Sequence, residues 1–360
     1  MGEHAAVYGR PAVVAAVGLR TRVTASPVAS GELELLLPDL GYREQCTWVD
    51  VLAYGDCRRE LWRGAGEQTA AAAAADTDVI GSGDEAGFVK VAVAEAMRSL
   101  ERSENSRLRP GLRVLVRSDV PVGSGFGSSA SVAVAVGAAL LGSLSVQEEL
   151  SADDERIAAI ALEAERRQHG QPSGVDHTAV IRGGVLSVTR EGDSLRTSAL
   201  PRPEWLQRAI RVYDTGPPAE TTGEVVAAVR NLRDREPRGF VETLDVMESA
   251  TSIFLGTLGE KNPPWPTLVD AVRSFEHCLE ALEVVPPPVA EVVRRVEAAG
   301  GAAKISGAGS LSGSAAGSLI VLWPPEARVE ADLEVILCDY RPLAMRLGAD
   351  GLELRKGSDV

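Results

Sequence analysis

Polar and apolar residues alternate most clearly over LRVLVRSDV, residues 112–120, where Leu112, Val114 and Val116 are interleaved with Arg113, Leu115 and Arg117. A period of two in a stretch rich in β-branched residues predicts a strand. The pattern then changes within PVGSGFGSSASVAVAVGAALLG, residues 121–142, which opens as a glycine and serine turn and runs on from Ser128 as small apolar residues. That run is long enough for roughly three or four helical turns. A strand, a glycine loop and a buried helix are therefore expected in direct succession.

Helical spacing recurs over GFVKVAVAEAMRSLERS (87–103), with GSGDEAG before it as a loop, and over DDERIAAIALEAERRQHG (153–170), which stops at a glycine. Near the start, PAVVAAVGLRTRVTASP, ELELLLP and CTWVDVLAY read as strands separated by turns. Further on, GGVLSVTREGDSLRTSAL reads as a hairpin, RAIRVYD as a strand and VAEVVRRVEAAGG as a helix. Several more helices lie between, with proline-rich connections at NPPWP (262–266) and VPPP (285–288). The order is an α/β alternation without a fixed-period repeat. Prolines in LPRPEW (200–205) predict a boundary between a domain at 1–203 and a second at 204–360.

Composition narrows the function classes. A chain of 360 residues with 45% apolar content can fill two cores. Its formal net charge of −14 argues against a nucleic-acid scaffold and against an anionic membrane surface as partner. A phosphate-bearing ligand would thus have to be held by local dipoles, a metal and a few cations. Cys46, Cys57, Cys278 and Cys338 are scattered without metal-type spacing and read as reduced thiols. The alanine run at 70–75 is too short to span a bilayer and no apolar leader opens the chain. A soluble, cytoplasmic protein is expected.

A glycine loop between a strand and a helix is a place where backbone N–H groups of an open helix end converge on one point, which attracts an anion. Ser128 and Ser129 can cap the helix or ligate a metal, and an ordinary serine-capped turn accounts for the same residues. The loop is neither a dinucleotide fingerprint nor a Walker A loop, since no Gly-Lys-Ser/Thr occurs in it. Three further segments carry chemistry: GEHAAVYGRPAVVAA (2–16), EAERRQHGQPSGVDHTAV (163–180) and AAKISGAGSLSGSAAGSLIVL (302–322). Taken singly, Glu165 fits a solvated helix face, Asp176 a turn and His4 a satisfied histidine.

In this order the four segments resemble the GHMP kinases, the small-molecule kinases that include galactokinase, homoserine kinase, mevalonate kinase and phosphomevalonate kinase. GEHAAVYGRPA together with ERRQHGQPSGVD is most similar to the branch that phosphorylates mevalonate. The resemblance implies a two-domain α/β (α+β) kinase fold: an N-terminal ribosomal-protein-S5-like domain, a C-terminal ferredoxin-like domain and an active-site cleft between them. It also implies ATP as co-substrate, cradled by Gly123, Ser124, Gly125, Gly127, Ser128 and Ser129, with Mg2+ held by Ser129 and Glu165. Asp176 would orient the acceptor hydroxyl and take its proton. Glu3, His4, Ser173, Thr221, Thr222, Gly307 and Ala308 would face the acceptor. The partners implied are ATP and a small-molecule acceptor, with a homodimer as an open option, and neither nucleic acid nor membrane.

Three departures from the family pattern bear on activity. Gly216 and Ala219 or Glu220 stand where a lysine and an arginine are expected, and GAGSLSGSAAG replaces a run of glycines. The resemblance further implies a strand ahead of Gly2 carrying a lysine, so a coding region that extends upstream of Met1 is expected. Failing that, Arg10 is the nearest cation. Phosphomevalonate kinase or another family kinase acting on a small alcohol or sugar, and a catalytically silent metabolite sensor, are the alternatives.

Overall fold

The computed structural model describes residues 1–64, 86–104, 109–121, 123–144, 153–169, 172–192, 194–325 and 330–355. The alanine run at 70–75 and residues 81–85 of the predicted loop lie outside the described residues. In chain order the strands are β1 (Ala12–Ala15), β2 (Thr21–Pro27), β3 (Leu33–Leu37), β4 (Tyr42–Cys46), β5 (Leu112–Ser118), β6 (Val185–Glu191), β7 (Ser194–Leu200), β8 (Ile210–Asp214), β9 (Ala302–Ser306), β10 (Ser318–Leu322) and β11 (Arg341–Pro342). The α-helices are α1 (Trp48–Gly64), α2 (Gly87–Glu104), α3 (Ser128–Leu144), α4 (Asp154–His169), α5 (Val175–Arg182), α6 (Glu204–Ala209), α7 (Thr222–Arg235), α8 (Pro237–Thr257), α9 (Trp265–Ala281), α10 (Pro287–Ala298) and α11 (Glu330–Ile336).

These elements form two compact units, each assembled from segments far apart in sequence. A one-sheet unit takes Leu19–Val120, Gly127–Arg182 and the residues from Gly351; a two-sheet unit takes Met1–Gly18, Pro121–Phe126 and Gly183–Asp350. The units therefore differ from the consecutive segments 1–203 and 204–360: Met1–Gly18, Pro121–Phe126 and the β6–β7 hairpin join the residues beyond 204 in the two-sheet unit, and the residues from Gly351 join the one-sheet unit.

In the one-sheet unit the strand order is β2-β5-β3-β4, with β3 parallel to β5 and the other pairs antiparallel. β5 buries Leu112, Val114 and Val116 and exposes Arg113 and Arg117, as its alternation predicts. The small residues of α3 let other helices come close. A Cβ on Gly137 would lie 3.2 Å from Ile160 Cγ2 of α4, so the glycine, a poor helix former, is retained where the two helices touch. One expectation fails here: CTWVDVLAY is not a strand, since α1 starts at Trp48. Trp48, Val51, Gly55 and Arg58 are buried at helical spacing. Thr47 and Asp50 cap the helix reciprocally, Asp50 Oδ2 accepting from Thr47 N–H at 3.0 Å and Thr47 Oγ1 accepting from Asp50 N–H at 3.2 Å.

The two-sheet unit holds the antiparallel sheet β1-β6-β7 and the antiparallel sheet β11-β8-β10-β9. Behind the second sheet α9 buries Leu268, Val272, Phe275 and Leu279, one every three or four residues, against Ile305, Leu319 and neighbouring apolar side chains. Both predicted proline-rich connections lead into helices, with proline in the first turn of α9 and of α10, where its missing N–H costs nothing. Among the described residues no helix is long and apolar enough to cross a membrane.

Candidate active site

The one-sheet unit gathers six of the predicted site residues. Ser128 opens α3, and one position on, Ser129 Oγ donates to Glu165 Oε1 of α4 at 3.0 Å. Gly137 and Ile160 bring the same two helices close further along. Glu165 is only 4% exposed, and its other oxygen lies 3.6 Å from Nδ1 of His177, a buried residue of α5. Asp176 is exposed in the first turn of α5, just after the turn in which Ser173 Oγ accepts from Val175 N–H at 3.3 Å. Gly127 has φ +64°, and a Cβ there would come 3.3 Å from Asp176 Cβ and 3.5 Å from its Cγ. The loop backbone thus passes directly against the Asp176 side chain, and glycine suits both the close approach and the left-handed angle.

The preceding half of the glycine loop belongs to the two-sheet unit, where it meets the second glycine-rich segment backbone to backbone. Gly123 and Gly125 are left-handed at φ +74° and +77°. A Cβ on Gly125 would sit 2.1 Å from Ser306 O, one on Gly307 2.7 Å from Gly125 Cα, and one on Gly317 3.1 Å from Gly123 O. Ser124 is buried, and its hydroxyl donates to Pro121 O at 2.7 Å while its carbonyl accepts from Ser318 Oγ. The serine hydroxyl is thereby spent on the loop itself, and what Ser124 has left for a ligand is backbone.

His4 is buried with a left-handed φ of 56°, and its Nε2 lies 2.9 Å from Ala308 O. A non-glycine residue there stores backbone strain of the kind found at functional sites. Burial pushes the His4 imidazole below its usual range, so the ring is neutral at pH 7. Beside it, Glu3 Oε1 accepts from Lys304 Nζ at 2.5 Å, and Lys304 also donates to Ile305 O at 2.6 Å. Burial alone would raise the Glu3 carboxyl, but the Lys304 ammonium outweighs it and holds the group at about 2. The N–H of Ile305, on the free edge of β9, donates to Glu276 Oε2 at 3.0 Å. Glu276 is fully buried and burial pushes its carboxyl up to about 8. Thr221 is the N-cap of α7 in a capping box with Glu224, and Thr222 is exposed at the first position of that helix.

Sequence reasoning missed Lys304, Glu276 and His177. A lone lysine inside the apolar stretch AAKIS was the available signal for the first, since a buried ammonium needs a partner. Arg10, the nearest cation expected to serve, is already engaged: it pairs with Asp245 at 2.6 Å and with Glu248, both on α8.

Residues 88–184 match the GHMP kinases N terminal domain. Over its full length the chain is 28% identical to mevalonate kinase of Homo sapiens, covering 93% of that protein. It is likewise 28% identical to mevalonate kinase of Thermococcus gammatolerans, with 99% of this chain and 95% of the relative covered. The crystal structure of Methanococcus jannaschii mevalonate kinase superposes with a TM-score of 0.68 at 19% identity, covering 96% of this chain and 94% of that one. The expected two-domain α/β kinase fold is the fold of this chain.

Proposed function

From the match of residues 88–184 to the GHMP kinases N terminal domain and from mevalonate kinases as full-length relatives at 28% identity, we propose that the chain transfers the γ-phosphoryl group of ATP to the primary hydroxyl of mevalonate, giving 5-phosphomevalonate and ADP. It is a phosphotransferase with an alcohol acceptor and ATP as co-substrate. The observation that carries the residue assignment is the pairing of Ser129 with Glu165 in the same unit as an Asp176 against which Gly127 packs.

In this reading Asp176 orients the acceptor hydroxyl and takes its proton as the oxygen bonds to the γ-phosphorus and the bond to the β–γ bridging oxygen breaks. An exposed carboxylate at the start of a helix is open to such a substrate. The backbone of Gly123 to Ser129 cradles the phosphates, the left-handed glycines letting the chain wrap closely. In the two-sheet unit Glu3, His4, Thr221, Thr222, Gly307 and Ala308 are the residues assigned to the acceptor, and in the one-sheet unit Ser173, beside Asp176, is assigned to it as well. His4 contributes a neutral ring whose position Ala308 O fixes.

Magnesium suits the donor set that Ser129 and Glu165 provide, one hydroxyl and one carboxylate, because this ion keeps several waters and binds phosphate oxygens alongside few protein ligands. When bound, it supplies neutralisation of the phosphate charge. A coupled ADP-release assay across mevalonate, 5-phosphomevalonate, galactose and homoserine tests the reading, and it stands only if mevalonate gives the highest kcat/KM.

A further inference from the structure

The two places where the sequence departs from its family, the acceptor loop at 215–220 and the turn at 307–317, are tied to one another. Thr215 N–H and Oγ1 both donate to Gly317 O at 2.8 Å, and Ala219 N–H donates to Ser310 Oγ at 3.1 Å. Glu220 closes the set. Its Oε2 accepts from Ser310 Oγ at 2.5 Å and from Leu311 N–H at 2.8 Å, while its Oε1 accepts from Ser312 Oγ at 2.5 Å. Three donors thus converge on one carboxylate, and the serines that replace glycines in this turn supply two of them.

We propose that Glu220 is a specificity-determining residue, a negative charge fixed on the acceptor side that admits a singly anionic alcohol and rejects the same alcohol once it carries a phosphate.

The charges around the turn lead to this conclusion. Glu3 is cancelled by Lys304, and Asp214 at the end of β8 by Arg341 at 2.6 Å. His4 is neutral, and Glu276 is protonated at pH 7. Glu220, by contrast, is held by two hydroxyls and an N–H, which fix a carboxylate in place and keep it ionised without neutralising it. Glu224, held the same way by Thr221, adds to the negative potential at the start of α7. The turn that Glu220 grips is also the one whose Ala308 O meets His4, so the charge belongs to the same short segment as the acceptor candidates. At the effective dielectric of about 20 near a protein surface, each additional negative charge at about 8 Å weakens binding by roughly thirtyfold unscreened and by a few-fold once physiological salt screens it, which is discrimination through repulsion.

The inference rests on the mevalonate reading, and the test separates the two. With the full chain, KM for mevalonate and the competitive Ki of 5-phosphomevalonate against it are measured for wild type, Glu220→Gln and Glu220→Ala. Glutamine retains an oxygen for Leu311 N–H, whereas alanine releases the turn. The ratio of Ki to KM is expected to fall at least fivefold in both variants, with both constants rising in the alanine protein. In wild type the same ratio should fall as salt is raised from about 0.02 to about 0.5 M, since screening weakens the repulsion. A ratio that neither substitution nor salt changes overturns the role of Glu220 alone. A wild-type chain without mevalonate turnover overturns the reading and the inference together.

Discussion

At the scale of single residues, Asp176 and the Ser129–Glu165 pair make the sharpest claims. Asp176→Asn should lower kcat on the order of a hundredfold while ATP affinity changes little, because the amide can neither accept the proton nor carry the charge. Near wild-type turnover in that variant would rule out the role. Ser129→Ala and Glu165→Gln should each raise the magnesium concentration at half-maximal rate, and the double variant should be less than additive, since the 3.0 Å pair acts as one unit. An unchanged magnesium titration in both would remove the metal assignment. The loop glycines were legible in the sequence because local requirements dictate them: Gly123, Gly125 and Gly127 all take left-handed angles. Lys304 and Glu3, 301 positions apart, were not, since a partner that distant leaves no local pattern. Ser124 was legible as a loop residue but not as one whose hydroxyl turns inward to Pro121.

Among elements, the strand–loop–helix at 112–144 was read correctly because β5 alternates and α3 is uniformly small and apolar. The helix α1 was missed because WVDVLA mimics a period of two over a few residues, and the capping pair Thr47 and Asp50 outweighs it. Capping also divides the two candidate threonines of the acceptor loop. Thr221 Oγ1 accepts from Glu224 N–H and closes a capping box, whereas Thr222 is exposed in the first turn of α7. Thr221→Ala should therefore destabilise the protein by about 1 kcal/mol, in addition to any effect on the acceptor, and Thr222→Ala by much less. Thermal melts of the two variants check this: equal midpoints would mean that the cap contributes nothing.

For the whole molecule, stability depends on pH through a buried pair of opposite tendency on either side of Lys304. Chain order gave no view of this, because Glu3, Lys304 and Glu276 come together only once residues 1–18 join the unit built from 183–350. The Glu3 carboxyl is held at about 2 against an ordinary 4.5, so its contribution is present above pH 4.5 and lost as pH falls through about 2. Glu276 runs the other way. Its folded value of about 8 lies above 4.5, so the protonated acid stabilises the fold fully below pH 4.5, and that contribution drains away as pH rises to about 8. The slope is at most about 1.4 kcal/mol per pH unit, the free energy of one proton bound in the folded chain and absent from the unfolded one. The geometry gives the cause: Oε2 accepts from Ile305 N–H, while Oε1 is buried without a hydrogen-bond partner among the described residues, an arrangement that suits a neutral acid better than a carboxylate. Glu276→Gln reproduces the neutral acid and keeps an oxygen for Ile305 at every pH. Chemical denaturation of both proteins between pH 5 and 8.5 should therefore show wild type losing stability relative to the variant up to about pH 8 and running parallel to it above. Parallel curves across the whole range would mean that Glu276 is already ionised in the folded protein and that β9 is held by a buried carboxylate.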